Sequence, residues 1–575
     1  MKQILVCCTV AALLTGCGGG GGGSSTTMPP PTSADPPPAT TPPPSTTPPP
    51  STTSAGDVTT FKNDVGRTGQ FLTETTLTAA NVNSTSFGLL HNVKVDGKVD
   101  AQPLYLSQLG GKNVVFVATE HGSVYGIDAD SGMPIWQVSL LASGETPSDT
   151  HGCGQVVPEI GITSSPVIDR AAGPNGTLYV VAMSIDKSSN YHQRLHALDV
   201  TTGAELLNGP MEITATSGAT HFEPGQYEER AALLLSGGLI YTSWTSHCDI
   251  APYGGWVIAF KQADLSRASV INVAPGSNSN TTAGPSGDDT QFSRNGPAIW
   301  MSGDGPAADA AGNVYFLTGN GRFETTLDGN GFPNQGDYGN SFVKLSSTGG
   351  NLAVADYFAT FDEVHLSGQD LDLGSGGEML LPDLTDSTNT VRHLVVGAGK
   401  DGKIYLVDRD NMGKFNSSRN NIWQQVDGAL GGRVFSSPAY FNGNLYYGPV
   451  GSTLKAFSIT NAKLSTAATS QSAATFGYPG ASPVVSANGT TNAIVWVDDN
   501  SNVALTALRA YDAANLAREL YNSNQATGSR DQFGAGNKFI TPTIVNGQVF
   551  VGTTSGVAVF GLLGPSTPTG LRIVP

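Results

Sequence analysis

One unit recurs along this chain from residue 86 onward, and a chain that repeats itself in this way must stack copies of a single supersecondary element. Each copy opens on a short strand with a proline: Gln102-Pro103-Leu-Tyr-Leu, Ser165-Pro166-Val-Ile, Gly305-Pro306-Ala, Ser437-Pro438-Ala-Tyr, Ser482-Pro483-Val-Val and Thr541-Pro542-Thr-Ile. Two further copies lack the proline, at Ala231-Ala-Leu-Leu-Leu and Glu378-Met-Leu-Leu. A turn and an alternating apolar strand follow, as in Asn113-Val-Val-Phe-Val-Ala or Gly547-Gln-Val-Phe-Val-Gly. A third strand ends on aspartate in Val124-Tyr-Gly-Ile-Asp128, Leu195-His-Ala-Leu-Asp199, Ile404-Tyr-Leu-Val-Asp408 and Leu508-Arg-Ala-Tyr-Asp512. A fourth is clearest at Ile135-Trp-Gln-Val. The spacing is about 40 to 75 residues, stretched by inserted loops.

Eight repeats of four antiparallel strands make an all-β, eight-bladed propeller. The composition agrees: 72 glycines and only 13% charged residues suit a turn-rich β protein. The aspartate that ends the third strand can cap the next turn, and the glycine after it accepts a left-handed backbone. The last repeat, residues 541–563, lacks its fourth strand. Phe87-Gly-Leu-Leu-His-Asn-Val-Lys-Val95 has no blade of its own. This N-terminal strand is therefore expected to join the last blade and close the ring, which removes exposed edges.

The first residues read as an address. Lys2 precedes the short apolar run Ile4 to Leu14, which ends in Leu14-Thr15-Gly16-Cys17. That order looks like a bacterial lipobox, with a signal peptide over 1–16 and a lipid on Cys17 that holds the protein to a membrane. An ordinary secretory signal with a chance cysteine is the alternative. Gly18 follows Cys17 rather than Asp, which resembles outer-membrane sorting, so the expected location is the cell envelope. Residues 17–56 are Gly-, Pro-, Thr- and Ser-rich and read as a stalk. The propeller is expected over 57–563, with a tail over 564–575. Cys7 and Cys8 leave with the signal, so Cys153 and Cys248 remain as an even pair in an oxidising compartment. A disulfide between them is the first reading, two buried free thiols the other. The formal charge of −17 repels phosphate backbones and speaks against nucleic acid as a partner. No Cys-x-x-Cys occurs, which argues against a structural zinc site, and no Gly-x-Ser-x-Gly elbow occurs.

These repeats resemble the pyrroloquinoline-quinone (PQQ) repeat of quinoprotein alcohol dehydrogenases. The resemblance rests on the proline strand and on Ala-x-Asp-x-x-Thr-Gly-x-x-x-Trp, and spans roughly residues 57–563. It also covers cofactor-free scaffolds of outer-membrane assembly. The lead-in from Asn63-Asp-Val-Gly-Arg67-Thr68 to Ala80-Asn81-Val82 looks like the N-terminal arm of the dehydrogenases. The resemblance implies a set of site residues. Trp300 sits where the family places a ring under the quinone plane. Asn320, in Thr-Gly-Asn-Gly, matches an amide ligand to calcium, although Gly321 replaces the usual proline. Asp370, in Gln-Asp-Leu-Asp, matches the catalytic carboxylate, although Gln369 replaces the usual tryptophan. Asp372 falls where lanthanide-using members carry a second carboxylate. Lys400 matches the basic residue that contacts the quinone. The remaining metal carboxylate has only Asp249 near it. The adjacent-cysteine disulfide of many members is absent. No haem-attachment Cys-x-x-Cys-His exists, so an electron acceptor would be external.

The implied function is a surface-anchored dehydrogenase that oxidises an alcohol or sugar with PQQ and calcium or a lanthanide. In that chemistry the cation polarises a quinone carbonyl, Asp370 takes the alcohol proton, and Lys400 stabilises the developing oxyanion. Two other readings stay open. One is a non-catalytic propeller that binds envelope proteins or glycans. The other is a polysaccharide-active enzyme using His151, His247 and Glu159 near the same mouth. The same residues also have ordinary roles: Trp300 as packing between blades, Asn320 and Lys400-Asp401-Gly402 as turns, Asp370 and Asp372 as solvated loop carboxylates, His121 as a loop histidine. A loop rule places the candidates together. Loops between strands two and three, and from strand four to the next blade, share one face of a propeller. Asp249, Asn320 and Lys400 lie on the first kind; Cys153, Trp300, Asp370 and Asp372 on the second.

Overall fold

The computed structural model describes residues 56–249, 254–276, 296–348, 351–501 and 504–564. The expected signal peptide, Cys17, the stalk up to residue 55 and the tail from 565 lie outside them. Eight small antiparallel sheets follow one another around a ring. Blade 1 runs Leu104–Leu109, Lys112–Ala118, Ser123–Asp128 and Pro134–Ser139 from the axis outward. Blade 4 runs Ala307–Ala308, Val314–Leu317, Ser341–Thr348 and Asn351–Ala359. Blade 5 runs Glu378–Leu380, Leu394–Ala398, Ile404–Asp408 and Gln424–Val426. Blades 2, 3, 6 and 7 begin on Val167–Asp169, Leu234–Ser236, Ala439–Phe441 and Val484–Asn488. The proline-free copies are thus ordinary blades, since the innermost strand of a blade tolerates proline at its start without requiring it.

Closure follows the expectation. Blade 8 supplies Thr543–Val545, Gln548–Gly552 and Gly556–Leu562, and Phe87–Lys94 adds the fourth strand antiparallel to the last of these. Phe87 is fully buried and locks the joint. Its ring lies 4.9 Å from Tyr521 edge-on and 5.5 Å from Trp496.

The turn chemistry read from the repeat is also present. Asp128 Oδ1 accepts the backbone N–H of Asp130 and Ser131, and Asp199 Oδ1 those of Thr201 and Thr202. Gly132 and Gly203 follow at φ +70° and +71°. The tryptophan that completes the motif ties blade to blade: Trp136 Nε1 donates to Val200 O of the next blade at 3.1 Å. A Cβ on Gly203 would stand 2.6 Å from that indole, so glycine is needed there for contact as well as for φ.

Residues 58–71 thread the axis and bond to the innermost strands in ring order. Val58 exchanges bonds with Tyr105 of blade 1. Thr59 O then accepts from Ile168 of blade 2, Val65 O from Ala308 of blade 4 and Gly66 O from Leu380 of blade 5. Thr68 O accepts from Tyr440 of blade 6 and Gly69 O from Val485 of blade 7. Arg67, fully buried, spends its guanidinium on Leu233 O, Gly305 O, Pro306 O and Phe61 O. Lys62, equally buried, donates to Pro438 O at 2.9 Å. The arm is a hub that satisfies inner-edge groups the ring would otherwise leave unpaired. Gly56, where it starts, lies beside Asn546 and Ser107, at the hairpins joining first and second strands. Those hairpins belong to the face opposite the loops that carry the candidate residues.

Candidate functional site at the propeller mouth

The loop rule holds for the residues that the structure describes. Asn320 follows Val314–Leu317, and Lys400 follows Leu394–Ala398, both between second and third strands. Trp300 precedes blade 4, and Asp370 and Asp372 precede blade 5, beyond a short helix Glu363–Gly368 absent from the all-β expectation. All five line one cavity of about 180 Å³.

Four of them form a compact polar cluster. Lys400 Nζ donates to Asp370 Oδ1 at 2.7 Å and stands 2.6 Å from Asp372 Oδ1. Asn320 Nδ2 donates to Asp370 Oδ1 at 2.9 Å. The two carboxylates differ. The Asp372 side chain is 11% exposed and that of Asp370 39%. Burial pushes the Asp372 carboxyl above its ordinary value, against the pull of Lys400. Burial also opposes the charge on Lys400, but Asp372 and Asp370 outweigh it and hold the ammonium above its usual range. Asp370 adopts φ +54°, an uncommon conformation for a residue other than glycine, and Met301 and Ser302 beside Trp300 do the same at +45° and +56°. Strain of this kind gathers where the surrounding structure fixes a side chain in place.

The other wall is aromatic. Trp300 meets Phe539 at 5.0 Å and Phe435 at 6.3 Å, each at 86°. Tyr478 closes the ring, 5.3 Å from Phe435 and 6.2 Å from Phe539. Three cations touch these rings: Arg230 over Phe539 at 5.0 Å, Lys538 over Tyr478 at 5.6 Å and Lys400 over Phe435 at 5.8 Å.

Of the expected metal donors, Asn320, Asp370 and Asp372 come together, while the side chain of Asp249 lies outside the described part. A carboxylate that sequence reasoning missed, Glu228, lines the same cavity. The Lys400 ammonium already bridges both aspartates. Among the described residues no group of three or more Asp, Glu, His or Cys side chains is arranged to hold an ion. The donors present thus fit an ammonium, and a cation would have to displace it. An anionic planar ring fits better, with indole and phenyl walls and three cations around them.

The second set of candidates separates. Glu159 pairs with His121 at 2.9 Å. His151 stacks on His247 at 4.1 Å, and His247 Nδ1 faces Glu228 at 3.4 Å. Burial, with His247 beside it, keeps the His151 imidazole below its ordinary value. The cysteines do pair: Cys153 and Cys248 form a disulfide with Cα atoms 6.1 Å apart, next to this histidine stack. It holds the loop whose Gln155 and Val156 line the cavity against blade 3.

Arg230, Phe435, Tyr478, Lys538 and Phe539 were also missed. Each lies on a loop that leads into a first strand: Phe435 before Ser437-Pro438, Tyr478 before Ser482-Pro483, Phe539 before Thr541-Pro542. An aromatic residue shortly before the repeat's Ser/Thr-Pro step was the available signal.

These features define a class: a closed eight-bladed propeller with a charged, aromatic cavity at one mouth. No family model matches the sequence, and no curated protein matches it. Solved structures do match the fold. A quinohemoprotein alcohol dehydrogenase from Comamonas testosteroni superposes with TM-score 0.57 at 17% identity, covering 90% of this chain and 82% of that one. A second quinohemoprotein alcohol dehydrogenase, from Pseudomonas putida, gives 0.55 at 14% identity, covering 91% and 82%. The chain therefore has the propeller fold of the PQQ-type alcohol dehydrogenases.

Proposed function

We propose that the protein is a quinone-dependent dehydrogenase that oxidises an alcohol or sugar, held at the cell envelope by a lipid on Cys17. The observation that carries the reading is Asp370. It is the more exposed of two adjacent carboxylates, and both of its donors, Lys400 and Asn320, end on Oδ1. That leaves Oδ2 for the proton of a substrate hydroxyl. A quinone bound in the cavity supplies the hydride acceptor that the protein lacks. Lys400 holds Asp370 in place through its Oδ1 and stands ready to stabilise a developing oxyanion at the same end of the cavity. Trp300, Phe435 and Phe539 wall the ring side and keep water from it. Lys400 offers charge to an anionic ring.

The test adds PQQ to the purified protein, alone and with calcium or a lanthanide. It follows the spectrum of the bound quinone and the reduction of a dye by alcohols and sugars. Binding with a Kd on the order of tens of micromolar or tighter is expected, and Asp370→Asn should abolish turnover while the quinone stays bound. No quinone spectrum under any of these conditions would sink the reading and leave a non-catalytic propeller with a ligand-binding mouth.

A further inference from the structure

Arg230 is out of place as a structural arginine. Its residue is 5% exposed, yet among the described residues its guanidinium has no hydrogen bond and no ion pair. It lines the mouth cavity, with its Cζ 5.0 Å above the Phe539 ring. The nearby anions are engaged elsewhere. Asp370 and Asp372 hold Lys400. Glu228 faces His247. Asp100, which senses the charge of Arg230, has its own partner in Lys98 at 2.8 Å. A guanidinium that lines a cavity without a protein partner keeps its donors free for a ligand. Arginine is suited to one ligand above others, because its planar fork matches a carboxylate with two parallel hydrogen bonds. Lys538, next to Phe539 in sequence, adds a second cation at the rim. It too has no ion pair among the described residues and lies over the ring of Tyr478, a residue that is 49% exposed.

We infer that the mouth selects an alcohol that also carries a carboxylate: Arg230 grips the carboxylate against Phe539, and Lys538 draws it in past the exposed Tyr478 ring. This rests on the dehydrogenase reading for the oxidation, but not for the binding. The carboxylate could instead come from the quinone itself, and the experiment separates the two sources.

The probes are 4-(hydroxymethyl)benzoate and its neutral counterpart benzyl alcohol. They are titrated first into the full chain without quinone, by calorimetry, and then used as substrates of the PQQ-loaded protein. A guanidinium–carboxylate contact in a buried cavity predicts a preference for the benzoate of about 10- to 100-fold. Arg230→Gln should erase that preference, and Arg230→Lys should keep part of it. In the loaded enzyme the loss should fall mainly on KM. Should R230Q not fold, Lys538→Gln must narrow the gap several-fold, and an unchanged gap in folded K538Q overturns the proposal. Equal binding of the two probes overturns it as well. So does an R230Q protein that loses PQQ affinity while keeping its preference between probes, because Arg230 then serves the cofactor. Preferential benzoate binding without any PQQ binding leaves the carboxylate site standing and removes the dehydrogenase.

Discussion

Replacing Lys400 by methionine tests the electrostatics of the mouth most directly. The side chains of Lys400 and Asp372 are 16% and 11% exposed, and their charged atoms are 2.6 Å apart. Removing the ammonium strands a desolvated carboxylate next to Asp370. Breaking one partner of a buried pair costs about 3–5 kcal/mol. The lower end applies here, because the pair borders an open cavity and Asp370 is solvated. The K400M protein should therefore be about 3 kcal/mol less stable than the parent at pH 7.5. The deficit should depend on pH with a definite sign. Burial already raises the Asp372 carboxyl above its unfolded value, and loss of Lys400 raises it further. Between the unfolded and folded values the folded state holds more protons than the unfolded one, so stability falls as pH rises through that window. K400M should regain much of its deficit as pH drops toward 4 and Asp372 takes up its proton. Urea unfolding at pH 4.5, 6.0 and 7.5 measures this. The double variant Lys400→Met/Asp372→Asn provides the cycle. It should recover at least 1–2 kcal/mol over K400M at pH 7.5, an estimate set by the unpaired-charge penalty. A pH-independent deficit, or a double variant no more stable than K400M, would refute the argument that Asp372 is the charge Lys400 neutralises.

Other features give further expectations. The Cys153–Cys248 bridge closes a loop of sequence separation 95, for which chain entropy predicts up to about 4.7 kcal/mol; Cys153→Ser/Cys248→Ser should lower the urea midpoint, and dithiothreitol should do the same to the parent but not to the variant. A Cβ at Gly377 would stand 1.8 Å from Asp304 Oδ2, a contact no rotamer relieves, so Gly377→Ala should yield little soluble protein, whereas Gly329→Ala, with nothing within 4 Å and no left-handed backbone, should express normally. Phe87→Ala should cost about 3–5 kcal/mol by hollowing the joint between Phe87–Lys94 and blades 7 and 8, seen as faster amide exchange in Gly556–Leu562 before any change at blade 4.

Much of the architecture was legible because a propeller repeats its turn chemistry. Asp128 and Asp199 cap their turns for the reason their positions suggested, and Trp136 needs Gly203 beside it. The missing fourth strand of blade 8 was visible as a deficit at one terminus and a surplus at the other. Trp300, Asn320, Asp370, Asp372 and Lys400 could be placed on one mouth from strand order alone. The aromatic wall left only a loose signal, because Phe435 and Phe539 stand three residues before their prolines and Tyr478 five. Loops that carry ligands vary in length, so no fixed spacing betrays them. Arg230 was hidden for another reason: its significance is a partner it lacks, and a sequence shows residues, not their unmet bonds. Glu228 escaped because the gap in the resemblance drew attention to Asp249. The hub role of Lys62 and Arg67 depends on contacts with strands hundreds of positions away, beyond any local pattern.

The joint that closes the ring also imposes an order in time. Phe87–Lys94 leaves the ribosome early and pairs with Gly556–Leu562, almost the last strand to be made. Residues 58–71 likewise wait at the axis for seven blades to arrive. Until synthesis is nearly complete, the nascent chain holds an open arc with two raw edges, and truncated products keep them permanently. Secretion across a membrane before folding would let both ends meet at once, and it would place the whole burden of holding that arc apart on whatever escorts the unfolded chain.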